Sequence, residues 1–279
     1  MPLYASGDVR RLALYLLLPA VAAGSLTACE KESVQVGFRP EAGASYRYEI
    51  KVQSVTTTML GDEAPDRTVD EVTLTSRDTV LAAAPEEVRV QVVLHRAGSP
   101  DRTFHVRFDR AHQLAGVDLV DGLPPEVLGP VGLPAFMPAA ATAPPDRALS
   151  PGEKWKIDAT PSVPGAGAAV RLEGTGRLVK VTTMGGRKVA AIKAETSVPL
   201  SSTTQVGGST VTITGTEKTE STANRALADG VVEEATSVTR GTYDLVLSPT
   251  AGAGAHVRGT MSVEIRAQTR RLHDEAKKG

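Results

Sequence analysis

Beyond residue 40, apolar and polar side chains alternate along most of the chain. Tyr46, Tyr48, Ile50 and Val52 alternate with Arg47, Glu49, Lys51 and Gln53. This is the period of a strand that covers a core with one face and meets water with the other. Val88, Val90, Val92 and Leu94 repeat the pattern, and Ala97-Gly98-Ser99-Pro100-Asp101 then turns the chain toward Phe104, Val106 and Phe108. A hairpin with one apolar face is predicted there, with Leu94 opposite Phe104. Later, Val211 and Ile213 alternate with threonines, and Val257, Met261, Val263 and Ile265 alternate with Arg258, Thr260, Ser262, Glu264 and Arg266. Turn signals such as Gly185-Gly186, Gly207-Gly208 and Asp229-Gly230 bound about eleven strands. The expected fold is mainly β, a large antiparallel open sheet or half-barrel. Tyr46, Tyr48, Ile50, Val90, Val92, Phe104, Val106, Trp155, Val211, Ile213, Val263 and Ile265 are expected to face its core.

Two stretches open in the same way. Gly43-Ala44-Ser45-Tyr46-Arg47-Tyr48 and Gly152-Glu153-Lys154-Trp155-Lys156-Ile157 each carry a glycine, two spacers, an aromatic, a basic and an apolar residue. More loosely, the segment from Asp109 to Val117 parallels that from Asn224 to Val231. Two repeated halves are expected on this basis, residues 43–120 and 151–270, followed by a charged tail over 271–279. Tyr46 and Trp155 should then hold equivalent positions.

Between the halves lies a Pro-rich crossover, residues 121–150. Its prolines, among them Pro124, Pro125, Pro130, Pro134 and Pro138, keep regular structure short, so a brief helical or irregular segment is expected. Yet Leu123, Val127, Leu128, Val131, Leu133, Phe136 and Met137 make it too apolar for a solvated linker. These seven are the candidate ligand-binding residues, expected to lie over the sheet as a lid or a plug.

The amino end follows a different plan. Arg10 and Arg11 precede an uncharged apolar run from Leu12 to Ala23, then Gly24-Ser25-Leu26-Thr27-Ala28-Cys29. That is the layout of an export signal over residues 1–28. The run is too short for a membrane-spanning helix, which needs about 20 residues. Residues 29–42 are read as a tether. The tetrapeptide Leu26-Thr27-Ala28-Cys29 resembles the lipobox of bacterial lipoproteins. The resemblance implies diacylglycerol on the Cys29 sulfur, cleavage before it and acylation of the new amino group. Lipidation also explains an otherwise odd cysteine in an exported chain, since Cys29 is the only one of the 279 residues. Asp8 departs from the acid-free start usual in such signals.

Composition narrows the chemistry. The whole chain has a formal net charge of −1, and removing a signal with one net positive charge leaves −2, which invites no nucleic acid. Aromatic residues are only 4%, so small and β-branched side chains must build the core. No nucleophile elbow, zinc-protease helix or phosphate-binding loop occurs, and no catalytic residue, metal site or cofactor is expected. His95, His105 and His112 come closest to a metal cluster, with the first two placed within diagonal reach on the hairpin's polar face. They are read as solvated surface histidines. Gly165, Gly167, Gly174 and Gly176 are read as bulges or bends, Tyr46 and Trp155 as core, and Glu233-Glu234 and Arg270-Arg271 as exposed charges.

A long open sheet with one apolar face, a lipobox and an apolar crossover are similar to the half-barrel lipoproteins that handle lipids, the LolA/LolB type and mycobacterial lipid-carrying lipoproteins. The paired glycine-spacer-aromatic starts also resemble an uncharacterised family of exported bacterial proteins. The resemblance implies a non-enzymatic lipoprotein that binds a lipid or other hydrophobic ligand. It would sit on the outer face of the plasma membrane, or in the periplasm or outer membrane of a two-membrane bacterium. The alternative is a structural or interaction module that meets another envelope protein.

Overall fold

The computed structural model describes residues 33–110, 114–121, 142, 144–160, 171–206, 209–249 and 256–273. Cys29, the export signal and the crossover residues from Leu123 to Met137 lie outside them. Thirteen strands run in chain order: β1 (Val34–Gln35), β2 (Ser45–Leu60), β3 (Asp66–Ala83), β4 (Glu87–His95), β5 (Arg102–Asp109), β6 (Leu114–Asp121), β7 (Ala148–Leu149), β8 (Lys154–Ala159), β9 (Leu172–Met184), β10 (Arg187–Val206), β11 (Ser209–Ala226), β12 (Val232–Pro249) and β13 (Val257–Leu272). No α-helix occurs among the described residues. Eleven of the strands form one antiparallel sheet in the order β6-β5-β4-β3-β2-β13-β12-β11-β10-β9-β8, and β1 pairs with β7 alone.

Register puts one face of all these strands inward. Ile50 lies opposite both Leu74 and Thr269, Thr269 opposite Ala235, Ala235 opposite Ala223, and Ala223 opposite Ile192. Every second residue therefore shares an environment, as the pleat requires. The sheet is nearly closed into a barrel. Residues 38–39 link parts distant in strand order: Phe38 donates to the carbonyl of Arg110 after β5, while Arg39 donates to that of Asp229 between β11 and β12, both at 2.8 Å.

The two ends of the strand order hold separate clusters. Tyr46, Tyr48, Ile50, Val88, Val90, Val92, Phe104, Val106 and Phe108 pack beneath β2–β5, with Phe38 edge-on to Phe108 at 5.9 Å between ring centres. Val34, Val36, Leu149, Trp155, Ile157, Leu178 and Ile192 pack beneath β8–β10. Residues 29–42, expected as a tether, thus bury Val34, Val36 and Phe38. Between the clusters the inner face carries small side chains, Ser221, Ser237 and Ala267, and the threonine pair Thr219–Thr239, hydroxyl to hydroxyl at 2.8 Å. Short side chains leave room for the sheet to curve strongly at these positions.

Of the expected core residues, eight are buried, from Tyr46 to Trp155. Val211, Ile213, Val263 and Ile265 point inward as well but are only half-buried. They fall in the halves of β11 and β13 nearer the Ser209 and Val257 ends, where the inward positions are less covered.

The two glycine-led strands match in detail. Gly43 and Gly152 both take positive φ, 83° and 90°. Gly43 donates to the Val80 carbonyl and Ala44 accepts from the Val80 N–H; Gly152 donates to the Leu178 carbonyl and Glu153 accepts from the Leu178 N–H. A register shift follows at the next residue in each case, at Leu81 and at Val179. The downstream parallel is displaced by two positions: Phe108 faces Val88 as Arg225 faces Ala190, so Arg225 corresponds to Phe108 and not to Arg110.

Candidate functional site

Counting inward positions along β11 from Val211 and Ile213 passes Gly215 and arrives at Glu217, then Thr219, Ser221, Ala223 and Arg225. Glu217 and Arg225 are therefore placed on the core face by the same alternation that places the apolar residues. Both are buried, Glu217 at 3% exposure and Arg225 at 0%. The alternation of Val211 and Ile213 was the signal that could have found them.

Glu217 lies opposite Val198 on β10 and Gly241 on β12. Tyr243, one inward position beyond Gly241, lays its ring across two glycines: a Cβ on Gly241 would meet the Tyr243 hydroxyl oxygen at 2.3 Å, and one on Gly215 would meet ring atom Cδ1 at 2.7 Å. The flattened ring directs its hydroxyl to Oε1 of Glu217, donating at 2.5 Å. Oε2 has no hydrogen-bond partner among the described residues. Burial pushes the Glu217 carboxyl above its ordinary range, with the Tyr243 hydrogen bond opposing, and raises the Tyr243 phenol as well. Around the pair the face is apolar. Val198 and Leu200 are buried there, and Leu172, Ile213, Met261 and Val263 are partly covered.

At the closed end, Arg225 donates to Thr142 Oγ1 at 2.9 Å and to the Gly230 carbonyl at 3.4 Å. Burial pulls its guanidinium down to about 9, while the fields of Tyr48 and Asp109 act the other way. On β3, Asp78 faces inward beside Tyr46, with Ser76 Oγ donating to it at 2.8 Å. Burial pushes that carboxyl up to about 7.

Glu233 and Arg271, read from the sequence as exposed charges, are not. The Glu233 side chain is 6% exposed and gathers Arg187 at 3.0 Å, Arg271 at 2.9 Å and His273 at 2.8 Å. Arg271 also lies over the Tyr46 ring at 4.8 Å. β13 runs to Leu272, so the start of the expected charged tail is sheet. A cleft of about 410 Å³ opens here, lined by Met184, Arg187, Glu234, Arg270 and His273 among others. Two further clefts, of about 300 and 500 Å³, are lined by residues such as Lys154, Arg177, Lys193, Lys218 and Arg240.

The histidine pair expected on the hairpin does not form. Leu94 lies opposite Arg102, not Phe104, so His105 faces Gln91 while His95 meets Asp101 at 2.7 Å. The connection is two residues shorter than a Leu94–Phe104 pairing would need, and the resulting register separates the two rings by four residues along the strand, about 13 Å. His112 is outside the described residues. Among the described residues no group of three metal-ligating side chains gathers. Gly174 and Gly176 sit in regular pairing rather than at bulges. A Cβ on Gly176 would meet the Trp155 indole at 2.2 Å, so that glycine makes room for a flat aromatic.

No family model and no curated protein matches the chain. Solved structures similar to it include OmpT, an outer membrane protein of Vibrio cholerae, at 11% identity over 84% of this chain and 99% of that one, with a TM-score of 0.25. Pseudomonas aeruginosa OccK1 is similar at 7% identity over 85% of this chain and 100% of its own, with a TM-score of 0.16. At such overlap nothing follows from the likeness.

Proposed function

We propose that the chain is an exported, non-enzymatic lipoprotein of the cell envelope, held on a membrane by acyl chains on Cys29, whose curved sheet carries a hydrophobic molecule on its inner face. The observation that supports the binding role is the incompletely covered part of that face. Ile213, Met261 and Val263 are inward-pointing yet only partly covered by described residues, while Val198, Leu200 and Tyr243 beside them are buried. Fully covering a large apolar side chain is worth about 1.5–3 kcal/mol, so an acyl chain laid along this row would be held by ordinary burial. In this reading the crossover residues from Leu123 to Met137 are the cover. Native mass spectrometry of protein purified from its own host, with lipid extraction, tests it: a stoichiometric hydrophobic adduct is expected, and a ligand-free protein that takes up no added lipid would overturn it.

The clefts favour a second reading. All three are rich in charged and polar side chains, which suits a surface that meets another protein through complementary charge. Cross-linking in intact cells distinguishes the two, since an interaction module gives a discrete protein adduct through Arg187 or Arg270 and no lipid adduct.

A further inference from the structure

Among the described residues, Glu217 is the one acidic side chain in the half-covered apolar row. We propose that Glu217 and Tyr243 form the polar anchor of this row and select a neutral lipid, one that presents an uncharged hydroxyl or ester beside its acyl chain, such as a monoacylglycerol. The inference rests on the proposed binding role and names the ligand class.

A carboxyl buried in apolar surroundings costs free energy unless its oxygens are hydrogen-bonded. Tyr243 satisfies Oε1, while Oε2 has no partner among the described residues and keeps a little accessible surface, the residue being 3% exposed. Its immediate inward neighbours, Val198, Gly215, Thr219 and Gly241, carry no charge. The nearest cations on the same strands, Lys218 and Arg240, stand on the opposite face. A fatty-acid carboxylate would thus meet an acid with no cation beside it among the described residues. An uncharged hydroxyl or ester has no such penalty. The neutral carboxyl that burial favours can donate to an ester carbonyl, and either oxygen can accept from a hydroxyl. Glycines at 215 and 241 keep Tyr243 flat against the sheet, so the space above the pair is not filled by its own ring.

Photo-labelling in membranes from cells producing the full chain tests this. Three probes share one diazirine-bearing acyl tail and differ in the head: a monoacylglycerol, a fatty acid and an alkylamine. The monoacylglycerol is expected to label peptides containing Ile213, Met261 and Val263 about tenfold more than either charged probe, the ratio of about one hydrogen bond to a buried charged or polar group. Glu217→Leu should lower that labelling about tenfold without lowering the melting temperature, and Glu217→Gln should keep it. Equal labelling by all three probes, or preference for the amine or the acid, overturns the neutral-lipid anchor and leaves the binding role standing. No labelling of the inner face by any probe overturns both. The comparison of probes on the unaltered protein decides the matter even if Glu217→Leu does not fold.

Discussion

Gly43 and Gly152 occupy the same place in two copies of one motif. Each has a positive φ, and each donates its N–H to a carbonyl one residue before a register shift, at 2.8 Å to Val80 and 2.7 Å to Leu178. An open turn explains the shared residue type, since nothing lies within 4 Å of where a Cβ would be at either site. Glycine is there for its backbone freedom, not for space.

Equal costs should follow. Gly43→Ala and Gly152→Ala are each expected to destabilise by about 1–2 kcal/mol, the strain of a left-handed L-residue, with asparagine costing less. Urea denaturation at both sites checks this. A clear inequality would mean that the two turns do not share one conformational requirement.

Asp78 should make stability fall as pH rises. Its carboxyl is held at about 7 in the folded protein against an ordinary 3.8, so the folded state binds the extra proton between those values. The stabilisation is complete below about pH 4 and is lost as pH passes through 7. Asp78→Asn should flatten this part of the profile and raise stability at pH 8 by about 1–3 kcal/mol. Thermal melts from pH 4 to 8 on both proteins measure it, and an unchanged slope would refute the assignment.

Glu233 ties β10, β12 and β13 together through Arg187, Arg271 and His273. Glu233→Ala leaves the Arg271 guanidinium, 18% exposed, without its carboxylate. A loss of about 2–4 kcal/mol is expected, more than for an exposed pair such as Arg240–Glu264. Denaturation midpoints of Glu233→Ala and Glu264→Ala should rank in that order.

Gly176→Ala forces the indole of Trp155 to move, because the new methyl would come within 2.2–2.4 Å of three of its atoms. Overpacking of this kind costs about 1–3 kcal/mol. Trp155 is the sole tryptophan, so a red shift in emission reports the displacement directly. Unshifted emission with full stability would mean that the ring does not rest on that glycine.

Cys29→Ala should release the protein from the membrane while leaving the sheet folded. In the proposed lipoprotein, acyl chains contribute about 0.8 kcal/mol per buried CH₂, and the variant would carry none. Fractionation together with circular dichroism checks both halves of the statement. Mutant protein still wholly in the pellet would refute the anchor.

Much of this architecture could be read from alternation alone. Tyr46, Tyr48, Ile50, Val90, Val92, Phe104 and Val106 follow period two, and the pleat leaves such residues no other side to face. The Gly-x-x-aromatic starts likewise announced a motif, since its turn needs glycine and its strand needs an inward ring. Other features depend on which strands become neighbours. Leu94 pairs with Arg102 because the connection before β5 is two residues shorter than the alternation alone suggested, and no local pattern counts that residue by residue. Glu233 and Arg271 read as surface charges because each looks solvated on its own strand; only the pairing of β12 with β13 and the curl toward β10 enclose them. Glu217 stood in plain phase with Val211 and Ile213, but its meaning waited on Tyr243, 26 residues away, crossing Gly241 to reach it. Local sequence determines which face a side chain takes, because that is set by backbone geometry over two residues. What it meets there is decided by register and closure, which are sums over the whole sheet.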